Sequence, residues 1–546
     1  MSRYSEACSS ILDHFNSGSS PVKEVGSVVI TELVKLVAYE SKFEQAKVSL
    51  RRTRNQNPDL VPINKLPTEI MVHIFRFLCS SGGCFLPADY SPRRERQVIY
   101  PDALLRVCSS WRQIVFTSHV LWTHIDLDDS ETTQLRQAIF TRAKNFVGRS
   151  GRAPLHFHLR VGLSRAEDDL SPTKLFQSIA PRIRAFSFEC IDARLEDDVK
   201  QALLGTLSET LPGTLTQLCI RIRGHYPAFL VPFSPTHSSA PSNYPFFTIS
   251  LTEGQFEELL APVTRLELED LYPAWTSRAY CGLVELALTS CTTSKITITD
   301  SELTRILRAS PGLQVFRFGL KVTLEPRKSP TITQLNCLRL FDLDATGDFP
   351  PEAIFRMIQP GRLPLETRIE IDHWEGVDFI SPSWAEFASF AARSSIYRLN
   401  MSLKGERFYS SELFSVLPQL EELLLQRSVL GQTRGDITCC FTFQDVPRHR
   451  LRLLILIDCV IHLNDFRDMS EIQPTDRLVL QGCRVIETYD TLSHVPKTGD
   501  SPNGWQKVLS RICPSVEIIN TSSTFEEANW ESFRSVSVAS GDTIWD

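Results

Sequence analysis

Apolar residues recur every seven positions at Val22, Val29, Leu36, Phe43 and Leu50, with Glu, Lys and Arg between them. That spacing predicts a helix over 22–52. The second seam fails, because Leu33, Glu40 and Lys47 occupy it and a coiled coil needs two apolar positions per heptad. An amphipathic helix packed against a neighbour is the first expectation, with helix-mediated self-association as the alternative. Pro58 and Pro62 deny further helix and predict an extended linker.

In "NKLPTEIMVHIFRFL", residues 64–78, Pro67 sits where a first helical turn tolerates proline, and Glu69 complements the helix dipole. A helix is therefore expected from Pro67, with Ile70, Ile74, Phe75 and Leu78 on one face and Met71 beside them. "LLRVCSSWRQIVF", residues 104–116, predicts a second helix that groups Leu104, Val107, Cys108, Trp111, Ile114 and Val115. Leu121 and Trp122 follow. Residues 79–101, rich in Gly, Pro and Arg, read as a surface excursion between the two helices.

Past "LWTHIDLD" the rhythm changes. Residues 130–147 read as a helix through Leu135, Ile139, Phe146 and Val147, ended by Gly148 and Gly151 ahead of the strand-like "PLHFHLR". A short unit then recurs: "IRAFSF" (183–188), "LTQLCI" (215–220), "VTRLEL" (263–268), "LVELAL" (283–288), "LQVFRF" (313–318) and "LRLFDL" (338–343). It continues as "ETRIEI" (366–371), "IYRLNM" (396–401), "LEELLL" (420–425), "LRLLIL" (451–456) and "TDRLVL" (475–480). Most fit L-x-x-L-x-L, and segments such as "ITDSELTRILRASPGL" and "SSELFSVLPQL" place a helical pattern before the next strand. The Pro-rich "YPAFLVPFSPTHSSAPSNYP" inside the longest interval is expected to be a surface loop. The polar, acidic residues 520–546 are expected to form a loose tail.

Composition narrows the function classes. The chain has 546 residues, 42% hydrophobic and 22% charged, with a net charge of −6. A mild acidic balance argues against nucleic acid as a partner, since phosphate binding needs a concentrated basic footprint. No run approaches a membrane span. "VVITELVKLV" lacks a signal-peptide layout, so a cytoplasmic or nuclear location is the expectation. There the 14 cysteines are expected to be reduced and none lies in a C-x-x-C pair, which argues against a metal site.

The ordered set Leu66-Pro67-x-Glu69-Ile70, Ile74-Phe75-x-x-Leu78, Val107-Cys108-x-x-Trp111-Arg112 and Leu121-Trp122 resembles the F-box, the helical module by which ubiquitin-ligase substrate receptors dock on a Skp-type adaptor. Residues 79–101 are an insertion into the compact F-box pattern. The recurring unit resembles an irregular leucine-rich-repeat solenoid, each repeat a parallel strand and a helix. Together they imply an α+β multidomain chain: an N-terminal helical region (1–57), an F-box-like domain (63–125), a repeat array (126–519) and the tail. The resemblance assigns adaptor contact to Leu66, Pro67, Ile70 and Leu78; for Ile74, Val107 and Trp111, contact and core packing stand as equal alternatives. It implies a Skp adaptor and, through it, a cullin as partners, plus an unknown protein target. A scaffold that holds the adaptor without promoting ubiquitination is the alternative.

Strand geometry then picks out the surface for the target. In L-x-L the leucines face the core and the alternate residues face outward. That rule presents Glu267, Glu269, Asp342, Asp344, Glu370 and Asp372 as an acidic middle, and Leu424, Ile455, Ile457 and Val479 as an apolar end. A basic segment with an apolar anchor is the expected target, unless a loop or the tail covers the apolar end. Nothing in the chain has the spacing of a catalytic motif, a phosphate-cradling loop or a cofactor site, so a non-catalytic protein is expected. "HFH" puts His156 and His158 on one strand face without an evident third ligand, and a solvated face is the expectation there.

Overall fold

The computed structural model describes residues 22–57, 59–80, 101–128, 133–162, 173–190, 197–223, 227–233, 245–291, 296–325, 331–346, 351–371, 382–402, 407–408, 410–430, 450–486 and 507–519, with a few residues before position 18. The expectations for the greater part of 79–101, for Asp372 and for 520–546 lie outside them. An N-terminal helix precedes small helices and then a large parallel sheet with helices, an α+β architecture. Two compact units divide the chain: Met1–Thr123 with Arg149–Gly151, and His124–Gly148 with Arg152–Asp546.

In the first unit, helix α1 spans Val22–Gln56, longer than the spacing predicts. It is not packed as expected: Ile30, Leu33, Val34, Val37, Phe43, Val48 and Leu50 are all exposed. A seven-residue repeat drifts around a straight 3.6-residue helix, so one seam without a second gives no stripe to bury. Helix α2 (Thr68–Ser80) begins directly after Leu66-Pro67. The expected second helix is two pieces, α3 (Pro101–Leu104) and α4 (Ser109–Thr117). The break has a local cause. Cys108 is extended, and its Sγ accepts from the Trp111 amide at 3.4 Å, capping α4. Met71, Phe75, Leu104, Val115, Leu121 and Trp122 form the buried core of this unit. Trp122 Nε1 donates to the Val115 carbonyl at 2.8 Å, and the Arg149 guanidinium lies 4.4 Å over the Trp122 ring.

In the second unit the main sheet comprises β1 (His124–Asp128), β2 (Leu155–Val161), β3 (Ile183–Cys190), β4 (Gln217–Ile222), β5 (Arg265–Glu269), β6 (Glu285–Thr289) and β7 (Val315–Phe318). It goes on through β8 (Leu340–Ala345), β9 (Leu365–Ile371), β10 (Ile396–Ser402), β11 (Glu422–Gln426), β12 (Leu451–Ile457), β13 (Thr475–Gln481) and β14 (Ser515–Ile519). These 14 strands are parallel and lie in chain order. Every recurring unit of the sequence falls on one of them. The first apolar residue of many units, such as Leu215, Leu283, Leu313, Leu338 and Leu420, lies just before its strand and is buried with it.

The corners repeat as well. Asp270, Arg427, Asp458 and Gly482 have φ of 60, 52, 52 and 65°, and each stands two residues after the last core leucine of its strand. Such left-handed corners turn the chain into short second strands, of which Val429–Leu430, Val460–His462 and Arg484–Ile486 pair with one another. Just after the corners, Cys459 Sγ donates to the Leu425 carbonyl of the preceding turn at 3.4 Å, and Cys483 Sγ to that of Leu456 at 3.2 Å. One expectation is overturned: Ala228–Pro232, inside the stretch expected to be a surface loop, is a strand paired with Phe246–Ile249 and Leu271–Pro273. Its "AFLV" run is buried apolar surface that outweighs the flanking prolines.

Candidate functional site

Two surfaces come from the sequence candidates, one in each unit, and the structure adds a third cluster. In the first unit, Leu66 is 39% and Ile70 46% exposed, with Pro67 exposed between them. Their neighbours around α2, Met71 and Phe75, are 2% and 0% exposed. The helix thus buries one face in its own core and leaves another, which continues through the half-buried Ile74 and Leu78, open to solvent. Val107 is exposed at the break before α4, whereas Trp111 is half-buried with its ring 4.7 Å from that of Phe75. Leu66, Pro67, Ile70 and Val107 are therefore available for contact, and Trp111 packs within the unit. Phe77, 64% exposed, was missed; its place three residues past Ile74 was the available signal.

In the second unit, register aligns the outward side chains into rows. One row begins Asp126, His158, Ser187, Cys219, Glu267 and ends Asn400, Leu424, Ile455, Val479, Glu517, with Asp342 in its middle opposite Arg317 and Arg368. Asp344, Glu370 and Ile457 belong to the next row, as does Glu269 on β5.

The acidic middle is not a bare carboxylate surface. Arg221 Nε donates to Glu267 at 2.9 Å, Arg223 lies 3.3 Å from Glu269, and Arg317 is 3.8 Å from Asp342. Further along, the buried Arg398 bonds Glu422 at 2.6 Å and lies 3.5 Å from Glu366, which also accepts from Arg368 at 3.0 Å. Arginines on adjacent strands, and Arg368 on the same strand as Glu366, thus answer the carboxylates. Partial burial also pushes the Glu269 carboxyl upward, against the pull of Arg223.

The apolar end differs from expectation too. Leu424, Ile455 and Val479 are only 2, 1 and 1% exposed and form a cluster of their own, with Leu453, Ile457 and Ile519 packed against it. The three residues do share one row, but as a buried cluster rather than an open patch.

The third cluster was not expected. His124 and Asp126 alternate on the outward face of β1, and β2 places His158 directly opposite Asp126. His124 Nε2 lies 3.1 Å from Asp126 Oδ1, and the His124 and His158 rings stack with centroids 4.6 Å apart. One ligand atom from each of the three falls within 4.8 Å of the others. His158 is buried, which corrects the solvated face expected for "HFH", and its companions are His124 and Asp126 rather than His156 alone. Spacing gave no sign of this because a whole helix, Thr133–Arg149, separates the two strands.

Comparison of the chain with protein-family models and with curated proteins returns no match.

Proposed function

We propose that the chain is an F-box protein whose leucine-rich-repeat solenoid serves as the substrate receptor of a Skp–cullin ubiquitin ligase. The observation that carries this reading is the solvent-open apolar face of Leu66, Pro67 and Ile70 on a small helical unit whose adjoining face, through Met71 and Phe75, is buried. A folded unit that leaves its motif residues exposed offers them to a partner. Support for the repeat assignment comes from two successive turns that each combine a strand of the L-x-x-L-x-L type, a left-handed corner at Asp458 or Gly482, and a cysteine, Cys459 or Cys483, that bonds back to the preceding turn. This matches the asparagine-or-cysteine position of the leucine-rich repeat. In this reading the protein does no chemistry itself. It raises the local concentration of a target lysine beside a ubiquitin-loaded enzyme brought by other subunits.

The test is co-purification from cells, read for the adaptor, for a cullin and for ubiquitin on any third protein retained. Leu66→Ala with Pro67→Ala removes two contact side chains, each worth ~2 kcal/mol or more at an interface centre, so adaptor capture is expected to fall at least about 100-fold. Undiminished capture by the folded double variant sinks the F-box reading. Adaptor without cullin or ubiquitin transfer identifies the scaffold instead.

A further inference from the structure

The geometry points to a divalent transition-metal site, with zinc as its test ion, built from His124, Asp126 and His158 at the β1 edge of the main sheet. It stands on these residues alone and does not rest on the adaptor reading.

Three observations carry it. First, two imidazoles and a carboxylate converge, with one ligand atom from each within 4.8 Å of the other two. Zinc bonds to His nitrogen and carboxylate oxygen are ~2.0–2.2 Å long, so ligand atoms around one ion lie roughly 3–3.5 Å apart. The His124–Asp126 pair already has that spacing, at 3.1 Å. His158, whose ligand atom lies no more than 4.8 Å from the other two, closes to the same spacing when the ion binds.

Second, the platform beneath the site is rigid. Ile125, Leu127, Phe157 and Leu159 alternate with the ligands on the core side of the same strands and are 0–6% exposed. Ligands held on strands whose opposite face is packed lose little further freedom on binding. In the next row Arg160 pairs with Asp128 at 3.5 Å and Glu189 at 2.8 Å, which ties β1, β2 and β3 in this register.

Third, the chemistry of the donors suits the ion. A set of two imidazoles and one carboxylate matches zinc and its neighbours rather than calcium or magnesium, which take oxygen ligands. His124 and Asp126 keep 21 and 16% side-chain exposure. Three protein ligands with solvent access leave a fourth position for water or for a side chain of a bound partner.

The experiment is Zn²⁺ titration of the full chain after chelator treatment, against a competing chromophoric chelator, with the reduced cysteines as a common background. Wild type is expected to take up one ion more than His158→Gln. Asp126→Asn is expected to weaken that ion's affinity by at least about 100-fold, beyond the 10–100-fold typical of losing a partner outside the ligand set. Co²⁺ bound at this site is expected to lack the intense thiolate charge-transfer absorption of a cysteine site, and saturating Zn²⁺ should raise the melting temperature of wild type but not of His158→Gln. Equal uptake by wild type and a folded His158→Gln overturns the proposal. Should the buried position not tolerate Gln, His124→Gln on the more exposed ligand gives the same reading, and unchanged uptake there overturns it equally.

Discussion

Cys219 lies in the outward row of the sheet between Ser187 and Glu267. Burial, and after it the Glu267 carboxylate, pushes its thiol up to about 12 from an ordinary 9.0. At pH 8 only about one molecule in 10,000 then carries the reactive thiolate. Native alkylation at pH 8 followed by peptide mapping is expected to label the exposed Cys281 well ahead of the half-buried Cys219. The same shift carries a sign for stability. The unfolded thiol ionises first, so this group favours the folded chain below about pH 9 and its contribution is lost as pH rises towards 12. Rapid labelling of Cys219 in the folded chain would contradict the burial that sets the shift. Outward orientation of Cys219 was legible from alternation alone; its reluctance to ionise was not, because that depends on what the adjacent strands place beside it.

The repeated corner turns the chain after four of the main strands, β5, β11, β12 and β13. At Gly482 φ is +65°, and an added Cβ would also crowd the Asp458 carboxylate. Gly482→Ala is expected to cost about 1–2 kcal/mol in urea denaturation, the strain of a left-handed residue with a side chain. Gly205, inside the helix Asp197–Glu209 with open space around it, is the control. Gly205→Ala should be neutral or stabilise by up to about 1 kcal/mol. The elements themselves were largely legible. The L-x-x-L-x-L units locate strands because their apolar period is that of a half-buried strand. Two edges escaped. "HIDLD" of β1 follows the helical module without a break in composition, and "SVEII" of β14 lacks the leading leucine. Pairing between strands is invisible to a rule that scans one segment at a time, so the arginine partners of Glu267, Glu269 and Asp342 and the His124–Asp126–His158 cluster emerged only once register was known.

At the scale of the molecule, among the described residues each strand of the main sheet pairs only with the main strands that precede and follow it in the chain. Stability in such a stack is close to a sum over neighbours. Phe341 is fully buried, with ring centroids 6.0 Å from Phe316, 6.4 Å from Phe355 and 5.4 Å from Phe390. Phe341→Ala is expected to cost about 3–5 kcal/mol. In hydrogen exchange the loss of protection should centre on β7, β8 and β9 and fade before β12 and β13; uniform loss through the sheet would show a single cooperative block instead. The strictly sequential order has a further consequence for synthesis. A nascent strand leaving the ribosome finds its partner already made and waiting at the growing edge, so the sheet is able to lengthen one rung at a time during translation. At each moment only the newest rung lacks a companion, and that narrow window limits how much sticky surface a half-made chain shows to its neighbours in the cell.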